Sequence, residues 1–463
     1  MILAVDIGTS SIKGAIISPE GYAFAYHKVH LFPFHSKYPG EGYAGSWKSG
    51  FIEIVSILLR KDISAVVISG NGPTIVPVGK DGELIHEPLM WMGKENVPLD
   101  DTDSFYLPKV KWLKDNNPQL YENTKYFLTT SSYLTWLLTG ESSVVTAHKG
   151  FSRYIWGREG FSSYGLDAAK FPLLVNMGDS IGVVSSAGAD FSGLAKGIPV
   201  VAAGVDFMVS LIGTGVIKPG RTCDRAGTSE GINFCSDRIV PDKRLRTLPH
   251  AVEGYYNVSG ILSSTGSLFE WYRRITGQEN YDYLETLSAI NKVPVGSGTP
   301  MFFPGLKDGG LWEFSNGMAV GLEAYQGRNE LGRSVMESIG FAVRRAIELF
   351  EENSCTIEEL RVSGGQGKNV IWNQMKANIT GCSIVVPEVE DAELLGGACL
   401  ASAALGRYSG FVEASEDLVR VKKVFYPEEK ACSLYDEAYQ HYKKVSVEAK
   451  NFLNRLAELN INF

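Results

Sequence analysis

The sequence predicts an α/β protein made of two related units. Its 463 residues exceed what a single hydrophobic core usually serves, so two domains are expected. The tripeptide Gly-Thr-Ser occurs in DIGTSS near the N-terminus and again in AGTSEG, each time between short apolar segments. Apolar strands followed by glycine turns and amphipathic helices occur in both halves. We therefore predict two copies of one α/β unit, residues 1–218 and residues 219–463, that face each other across a cleft.

The composition is that of an ordinary globular protein and argues against some partners. Hydrophobic residues make up 44% and charged residues 21%, and the net charge is −8. This acidic balance, with no dense stripe of Lys or Arg, argues against a nucleic-acid or anionic membrane surface. The N-terminus lacks a signal-peptide pattern, and no apolar run reaches the ~20 residues of a membrane span. The six cysteines form no C-x-x-C pair, so we expect buried free thiols in a reducing cytoplasm.

The first glycine turn has the composition of an anion site. Two apolar strands, residues 2–5 and 12–17, are too close in sequence for a crossover and predict a β-hairpin. A turn rich in Gly, Thr and Ser exposes N–H groups and hydroxyls that suit phosphate oxygens. The candidate phosphate ligands are Gly8, Thr9, Ser10 and Lys13. Asp6 could hold Mg²⁺ directly or through water. The alternative is an ordinary solvated hairpin.

A second loop follows the apolar strand at residues 65–69. Loops after the strands of an α/β sheet commonly bind ligands, so Asn71, Gly72 and Pro73 are candidates for a substrate pocket. Trp91 could offer its aromatic face to a sugar ring. The alternative for Trp91 is an ordinary core position.

The stretch from Pro199 to Gly231 carries the strongest candidate for a catalytic group. Val200 to Ala202 predict a buried strand, and Gly204 a tight turn. Asp206 then stands at an N-cap position before an apolar helix. The Gly227-Thr228-Ser229 turn follows, between two strand-like segments. This pattern predicts a kinase with Asp206 as the base, and the alternative for Asp206 is a purely structural cap.

The second half of the sequence contains a candidate nucleoside-binding site. Residues 360–363 predict a strand. Gly364 and Gly365 follow this strand, and a nucleoside could lie on their backbone because they carry no side chains. Asn369 is expected to cap the next helix, which Gly381 closes. An amphipathic helix is predicted at residues 332–352 and a packing helix at residues 434–459. Small residues around Gly396-Gly397 predict close helix packing.

The chain as a whole resembles the FGGY carbohydrate kinases of the actin/hexokinase/Hsp70 superfamily. The likeness covers nearly the whole length and rests on the order and spacing of its blocks: DIGTSSIKGAI, WLLTGE, PVVAAGVDFMVSLIGTGVIKPG with AGTSEG, SGGQGKNVIWNQMKANITG and EDAELLGGACLASAALG. The resemblance implies two RNase H-like domains of the actin-like ATPase fold, with the active site in the cleft between them. It also implies ATP and Mg²⁺ as cofactors, a small sugar as substrate, and a homodimer as a common assembly.

The resemblance assigns roles to individual positions. The catalytic aspartate falls on Asp206. The nucleotide positions are Asp6, Gly8, Thr9 and Lys13 for the first phosphate loop, Gly227, Thr228 and Ser229 for the second, and Gly364, Gly365, Gln366 and Asn369 for adenosine. In the mechanism that we expect, Asp6 lies in the outer shell of Mg²⁺.

The expected sugar pocket departs from that of xylulokinase-like members. Where those carry Gln-Met-His-Gly, this chain has residues 71–74, Asn-Gly-Pro-Thr; where many carry Trp, a polar residue and Asp-Arg, it has residues 91–94, Trp-Met-Gly-Lys. The expected acceptor is a ketose, a pentulose such as xylulose, with a hexulose or polyol as an alternative. Other functional classes are a non-catalytic sugar- or nucleotide-responsive regulator, a chaperone-like ATPase and a filament-forming relative of actin.

Overall fold

The computed structural model describes residues 1–31, 42–93, 102–227, 229–262, 264–295, 300–304 and 317–458. The chain divides into two compact units, each formed by three segments. Unit 1 contains Met1–Ile217, Pro249–Tyr255 and Asp391–Arg420, and unit 2 contains Lys218–Leu248, Tyr256–Glu390 and Val421–Phe463. One division between the units lies between residues 217 and 218, and residues 391–420 join unit 1 from the second half of the chain.

Strands and helices occur throughout the described chain, singly and in short runs of one kind. The strands are β1 (Ile2–Ile7), β2 (Ser11–Ile17), β3 (Ala23–His30), β4 (Ala65–Gly70), β5 (Ile75–Val78), β6 (Tyr126–Thr129), β7 (Ser143–Thr146), β8 (Leu173–Asn176), β9 (Ser180–Val183), β10 (Pro199–Val205), β11 (Thr222–Ala226), β12 (Glu230–Ser236), β13 (Arg246–Pro249), β14 (Tyr256–Leu262), β15 (Met301–Phe303), β16 (Met318–Val320), β17 (Glu359–Ser363), β18 (Ser383–Pro387) and β19 (Val421–Phe425). The α-helices are α1 (Gly42–Leu58), α2 (Leu107–Asn116), α3 (Pro118–Asn123), α4 (Thr130–Thr139), α5 (Ser152–Ile155), α6 (Arg158–Ser163), α7 (Ser186–Ser192), α8 (Asp206–Gly213), α9 (Thr265–Ile275), α10 (Tyr283–Asn291), α11 (Arg328–Glu352), α12 (Val370–Thr380), α13 (Ala392–Ala404), α14 (Phe411–Leu418) and α15 (Glu429–Glu458).

The main sheet of unit 1 has six strands in the order β3-β2-β1-β4-β10-β9. β1 and β3 each run antiparallel to β2, and β4 runs parallel to both β1 and β10. Every residue of β1 and β4 is buried, as expected for strands covered on both faces. The predicted hairpin of β1 and β2 is confirmed, and its register places Asp6 opposite Lys13.

The main sheet of unit 2 has the order β13-β14-β12-β11-β17-β18-β19. β14, β12 and β11 are antiparallel neighbours, β17 is parallel to β11 and β18, and β19 is antiparallel to β18. Strands β3, β2, β1, β4, β10 and β9 thus match β14, β12, β11, β17, β18 and β19 in order and direction. The repeat that the two Gly-Thr-Ser turns predict is present in the topology of the two sheets.

Capping residues define the ends of several helices. α4 ends at Gly140, whose φ of 82° is the left-handed conformation of a glycine C-cap. The side chain of Asn369 accepts hydrogen bonds from the N–H groups of Ile371 and Trp372 and so caps α12, and Gly381 closes that helix. The predicted amphipathic helix at residues 332–352 is α11, which begins four residues earlier.

The cysteines agree with the expectation of free thiols. All six cysteines are free thiols, and all except Cys432 are buried. Among the described residues, no helix is both long enough and apolar enough to cross a bilayer.

Helices α8 and α13 of unit 1 pack with their backbones in contact. A methyl group on Gly396 would overlap the carbonyl oxygen of Val209, and one on Gly213 would overlap that of Ala392. The prediction that small residues in this Ala-rich helix permit close packing is confirmed. This contact is one reason why residues 391–420 belong to unit 1.

Gly396→Ala should lower the free energy of unfolding by roughly 1–3 kcal/mol, because the methyl group forces the two helix backbones apart. Gly397→Ala is the matched control, since a methyl group there meets only side-chain atoms, the nearest being Val67 Cγ1 at 3.2 Å. Urea unfolding followed by circular dichroism compares the two variants. Equal stability of both would contradict the backbone contact.

Candidate active site

The first glycine turn joins β1 to β2 in unit 1. The N–H of Gly8 donates to the carbonyl oxygen of Ser11 at 2.9 Å, which closes the turn. Thr9 is partly exposed and Ser10 is exposed, and the carbonyl oxygen of Ser10 accepts from the N–H of Leu31 at 3.0 Å. The turn therefore presents both hydroxyl-bearing residues at the surface of the unit.

Asp6 lies at the base of this turn, buried among charged neighbours. It is 3% exposed, and the Ser69 hydroxyl donates to its Oδ1 at 2.7 Å. Burial, and next the negative charge of Glu393, raise the pKa of Asp6 to about 7, against the opposing effect of Lys13. The charge of Asp206 raises it further. A cation bound here would favour the ionised form of Asp6.

Lys13 is held by an acidic residue that the sequence analysis does not single out. Its Nζ lies 2.8 Å from Asp391 Oδ1, and both side chains are largely buried. The charges of Glu393, Asp391 and Asp6 raise the pKa of Lys13 although burial opposes them. Asp391 immediately precedes α13 and Glu393 lies in its first turn. The sequence signal for this site is the pair of acidic residues at the start of a helix, beside the glycines that predict close helix packing.

Asp206 is the first residue of α8, and its prediction as an N-cap is wrong by one residue. The cap position belongs to Val205, and Asp206 Oδ1 accepts from the N–H of Phe207 at 2.7 Å. The reason is that β10 continues through Val205. Gly204, with φ of 88°, lies in a register shift against β4 and does not turn the chain out of the sheet. Asp206 therefore stands in the first turn of the helix, where the dipole stabilises a negative charge.

The loop after β4 is tied to the first glycine turn. The Asn71 side-chain amide donates to the carbonyl oxygens of Ile7 and Gly8 at 3.1 and 3.2 Å, and its Oδ1 accepts from the Thr74 hydroxyl at 2.7 Å. Asn71 thus supports the turn from beneath. Gly72 and Pro73 continue the loop directly after it.

Trp91 joins the same network from the surface. It is 40% exposed, so it is not an ordinary core residue. Its indole N–H donates to the Thr9 hydroxyl at 3.0 Å, and its backbone N–H donates to the Thr74 hydroxyl at 3.2 Å. Two residues predicted for the sugar pocket, Trp91 and Asn71, therefore contact the predicted phosphate turn through hydrogen bonds.

The second glycine turn and the adenosine motif lie in unit 2. Gly227 donates its N–H to the Ser229 carbonyl oxygen at 2.9 Å between β11 and β12, while Thr228 lies outside the described residues. Gly364 has φ of 93°, and a methyl group on it would approach the carbonyl oxygen of Ala226 to 2.5 Å, so the two motifs adjoin. Gly365 opens a short 3-10 segment, and nothing lies within 4 Å of a methyl group built on it. The side chain of Gln366, in that segment, is outside the described part of the structure.

A buried ion triad supports the second turn. Lys376 Nζ on α12 lies 2.5 Å from Asp224 Oδ2 on β11 and 2.5 Å from Glu230 Oε1 on β12, and all three side chains are enclosed. Burial, and next the charge of Asp224, raise the pKa of Glu230 to about 8. Asp224 Oδ1 and Glu230 Oε2 have no donor among the described residues, so a proton held by Glu230 beside Asp224 completes the cluster. The triad thereby joins β11 and β12, the two strands that flank the turn, to α12, the helix that Asn369 caps.

The free energy of unfolding should contain a pH-dependent contribution from Glu230. The pKa of Glu230 is about 8 in the folded chain against an ordinary 4.5, so the folded state holds the proton more tightly. The stabilisation is complete below about pH 4.5 and is lost as the pH rises towards 8. Urea unfolding at several pH values should show Glu230→Gln gaining stability relative to the unmodified protein over this range. Parallel pH profiles of the two proteins would rule out the proton on Glu230.

Two family models match the chain. The N-terminal domain of the FGGY family of carbohydrate kinases matches residues 102–213, and the C-terminal domain of that family matches residues 225–405. Together the two matches cover more than half of the chain.

Individual proteins are similar over most or all of its length. The xylulose kinase of Bacillus subtilis (strain 168) is 24% identical over 497 residues, which covers 100% of this chain and 99% of that protein. The autoinducer-2 kinase of Enterobacter sp. (strain 638) is 28% identical over 73% of this chain and 68% of that protein. The crystal structure of xylulose kinase from Rhodospirillum rubrum superimposes with a TM-score of 0.77 at 18% identity, over 98% of this chain and 99% of that one. The fold is therefore that of the actin-like ATPases, and the chain belongs to the FGGY family of carbohydrate kinases.

Proposed function

We propose that this carbohydrate kinase transfers the γ-phosphate of ATP to a hydroxyl of a ketose, a pentulose such as xylulose, with Asp206 as the general base. The observation that carries the proposal is the strand register of unit 1. Gly70 of β4 pairs with Ile7 of β1 on one side and with Val205 of β10 on the other. Asp206, which follows Val205, therefore lies at the same edge of the sheet as the turn proposed to hold phosphate. Hydrogen bonds from Asn71 and Trp91 link that turn to the proposed sugar loop.

The residues fit a nucleotide and a divalent cation by their chemistry. The turn at Gly8–Ser10 offers N–H and hydroxyl groups, and Lys13 offers a positive charge for phosphate oxygens. The open backbone at Gly365 accepts the flat surface of a nucleoside. The raised pKa of Asp6 marks a carboxyl group that a cation would stabilise as the anion. Mg²⁺, when bound, neutralises charge on the β- and γ-phosphates.

The chain then has mainly to position groups and move one proton. Asp206 accepts the proton of the acceptor hydroxyl. The oxygen of that hydroxyl attacks the γ-phosphorus of ATP in line, and ADP leaves. The position of Asp206 in the first turn of α8 favours its anion and makes it a weak base. A weak base is sufficient because phosphoryl transfer has a loose transition state in which the hydroxyl loses its proton late. Lys13 balances the charge of the phosphate oxygens and, through Asp391, is held in place beforehand.

A panel of acceptors tests the proposal. Release of ADP is measured with pentuloses, hexuloses, their stereoisomers and polyols, each with ATP and Mg²⁺. We expect a pentulose to give the highest kcat/KM. The proposal of a ketose kinase fails if every ketose gives only the rate of ATP hydrolysis seen without sugar.

One relative favours a second acceptor. Identity to the autoinducer-2 kinase is 28%, higher than the 24% to the xylulose kinase, although over a shorter part of the chain. Autoinducer-2 therefore belongs in the same panel. A kcat/KM for autoinducer-2 well above that for every ketose would assign this chain to the second acceptor.

A further inference from the structure

Tyr106 places a phenol group beside the proposed sugar loop. It immediately precedes α2 and is 4% exposed. A methyl group built on Gly72 would lie 3.0 Å from the Tyr106 hydroxyl and 2.8 Å from Val205 Cγ2. The hydroxyl therefore borders Gly72 on the side where β10 leads into α8.

The same phenol group is electrostatically coupled to the proposed catalytic base, which follows Val205 in the chain. Burial, and next the negative charge of Asp206, hold the pKa of the Tyr106 phenol well above its usual range. Tyr106 is therefore a protonated hydrogen-bond donor at every physiological pH. Within the described ranges, the Tyr106 hydroxyl makes no hydrogen bond, so its donor is available to a ligand.

The ring is held in place before any ligand binds. The Tyr106 N–H donates to the Ser104 hydroxyl at 3.2 Å, and the Ser104 hydroxyl in turn donates to the carbonyl oxygen of Ile155. The Trp156 ring packs edge-on against the phenol, with centroids 6.1 Å apart and an interplanar angle of 81°. A polar group fixed in this way discriminates between ligands better than a mobile one, because little entropy is lost on binding.

We propose that Tyr106 determines acceptor specificity: its hydroxyl hydrogen-bonds the sugar hydroxyl adjacent to the one that Asp206 deprotonates. This inference rests on the proposed function. The acceptor it implies is a vicinal diol, in which one hydroxyl is phosphorylated and its neighbour is bound by Tyr106. A buried group that requires such a partner rejects analogues that lack it.

The test compares Tyr106→Phe with the unmodified protein on two acceptors. One is the best sugar of the panel, and the other is its deoxy analogue that lacks the hydroxyl next to the phosphorylated one. Tyr106→Phe should lower kcat/KM for the complete sugar roughly 10- to 100-fold and leave the deoxy analogue nearly unchanged. The KM for ATP should stay the same. Tyr121→Phe is the matched control, because the Tyr121 hydroxyl accepts a hydrogen bond from the backbone of Asp167 at 2.7 Å and serves structure.

The outcomes separate this inference from the proposed function. Turnover of sugars with equal loss on both acceptors, or with no loss, overturns the role of Tyr106 and leaves the kinase proposal intact. Turnover of no acceptor by the unmodified protein overturns both. If Tyr106→Phe unfolds, calorimetric binding of the two sugars to Tyr106→Leu, which removes the hydroxyl without adding volume, and to the unmodified protein, without ATP, provides the same comparison. The complete sugar should then lose affinity and the deoxy analogue should not lose it to the same extent.

Discussion

Asp206→Asn should lower kcat by about 100- to 10,000-fold, the range that a positioned general base contributes. The amide has nearly the same shape as the carboxyl group, but it cannot accept the proton of the acceptor hydroxyl. Its carbonyl oxygen still accepts the hydrogen bond from the N–H of Phe207, so α8 should begin as before. Coupled detection of ADP with the best acceptor measures kcat, and calorimetry measures ATP binding, which we expect to be retained.

Asp190→Asn is the control for this substitution. Asp190 is an exposed residue of α7, so the same chemical change there should leave kcat within about twofold, since surface positions away from a site rarely matter. An Asp206→Asn protein that turns over sugar at the rate of the Asp190→Asn protein would falsify the role of Asp206 as the base.

Lys376→Met should destabilise the protein by roughly 3–5 kcal/mol, the usual cost of removing one partner from a buried ion cluster. Methionine fills much of the volume of lysine. It nevertheless leaves Asp224 and Glu230 enclosed without the positive charge 2.5 Å from each of them. Urea unfolding at pH 7 measures the change. Because the two carboxyl groups flank the second glycine turn, we also expect weaker ATP binding at a temperature where the variant is still folded.

A neutral triple variant separates the charge effect from packing. Lys376→Met combined with Asp224→Asn and Glu230→Gln removes the charges of Lys376 and Asp224, replaces the protonated Glu230 by a neutral amide, and keeps the side-chain volumes close to the original. Stability should recover in part, because uncompensated buried charge is the main cost in the single variant. Equal destabilisation of the single and triple variants would show that the loss comes from packing alone.

The elements that the sequence predicts well are those with local causes. The capping of α12 by Asn369 and its end at Gly381 were predicted because a cap side chain and a left-handed glycine act within a few residues. The hairpin of β1 and β2 was predicted for the same reason, since its turn is too short for any other connection. The prediction of Asp206 as an N-cap was wrong by one residue because it depended on where β10 ends. The end of β10 is set by its pairing with β4, which lies far away in the sequence.

The site could be predicted only in part, because several of its contacts join distant segments. Asp391 holds Lys13 across nearly the whole length of the chain, and nothing near either residue indicates the pair. Trp91 was predicted for sugar binding from its aromatic character, whereas its hydrogen bond to Thr9 follows from the fold. Tyr106 lies in no motif, and the role proposed for it rests on the position of its hydroxyl beside Gly72, which only the fold shows.

By itself, the sequence determined the α/β class, the repeated glycine turns and the aspartate expected to act as the base, because hydrophobic periodicity and turn chemistry act over short stretches. Only the tertiary structure decided which charged side chains form ion pairs. Lys376 reaches Asp224 and Glu230 across 152 and 146 positions, and residues 391–420 return to unit 1. The physical reason is that a buried charge is costly unless an opposite charge lies close to it in space. The fold decides which charges are close, whatever their separation along the chain.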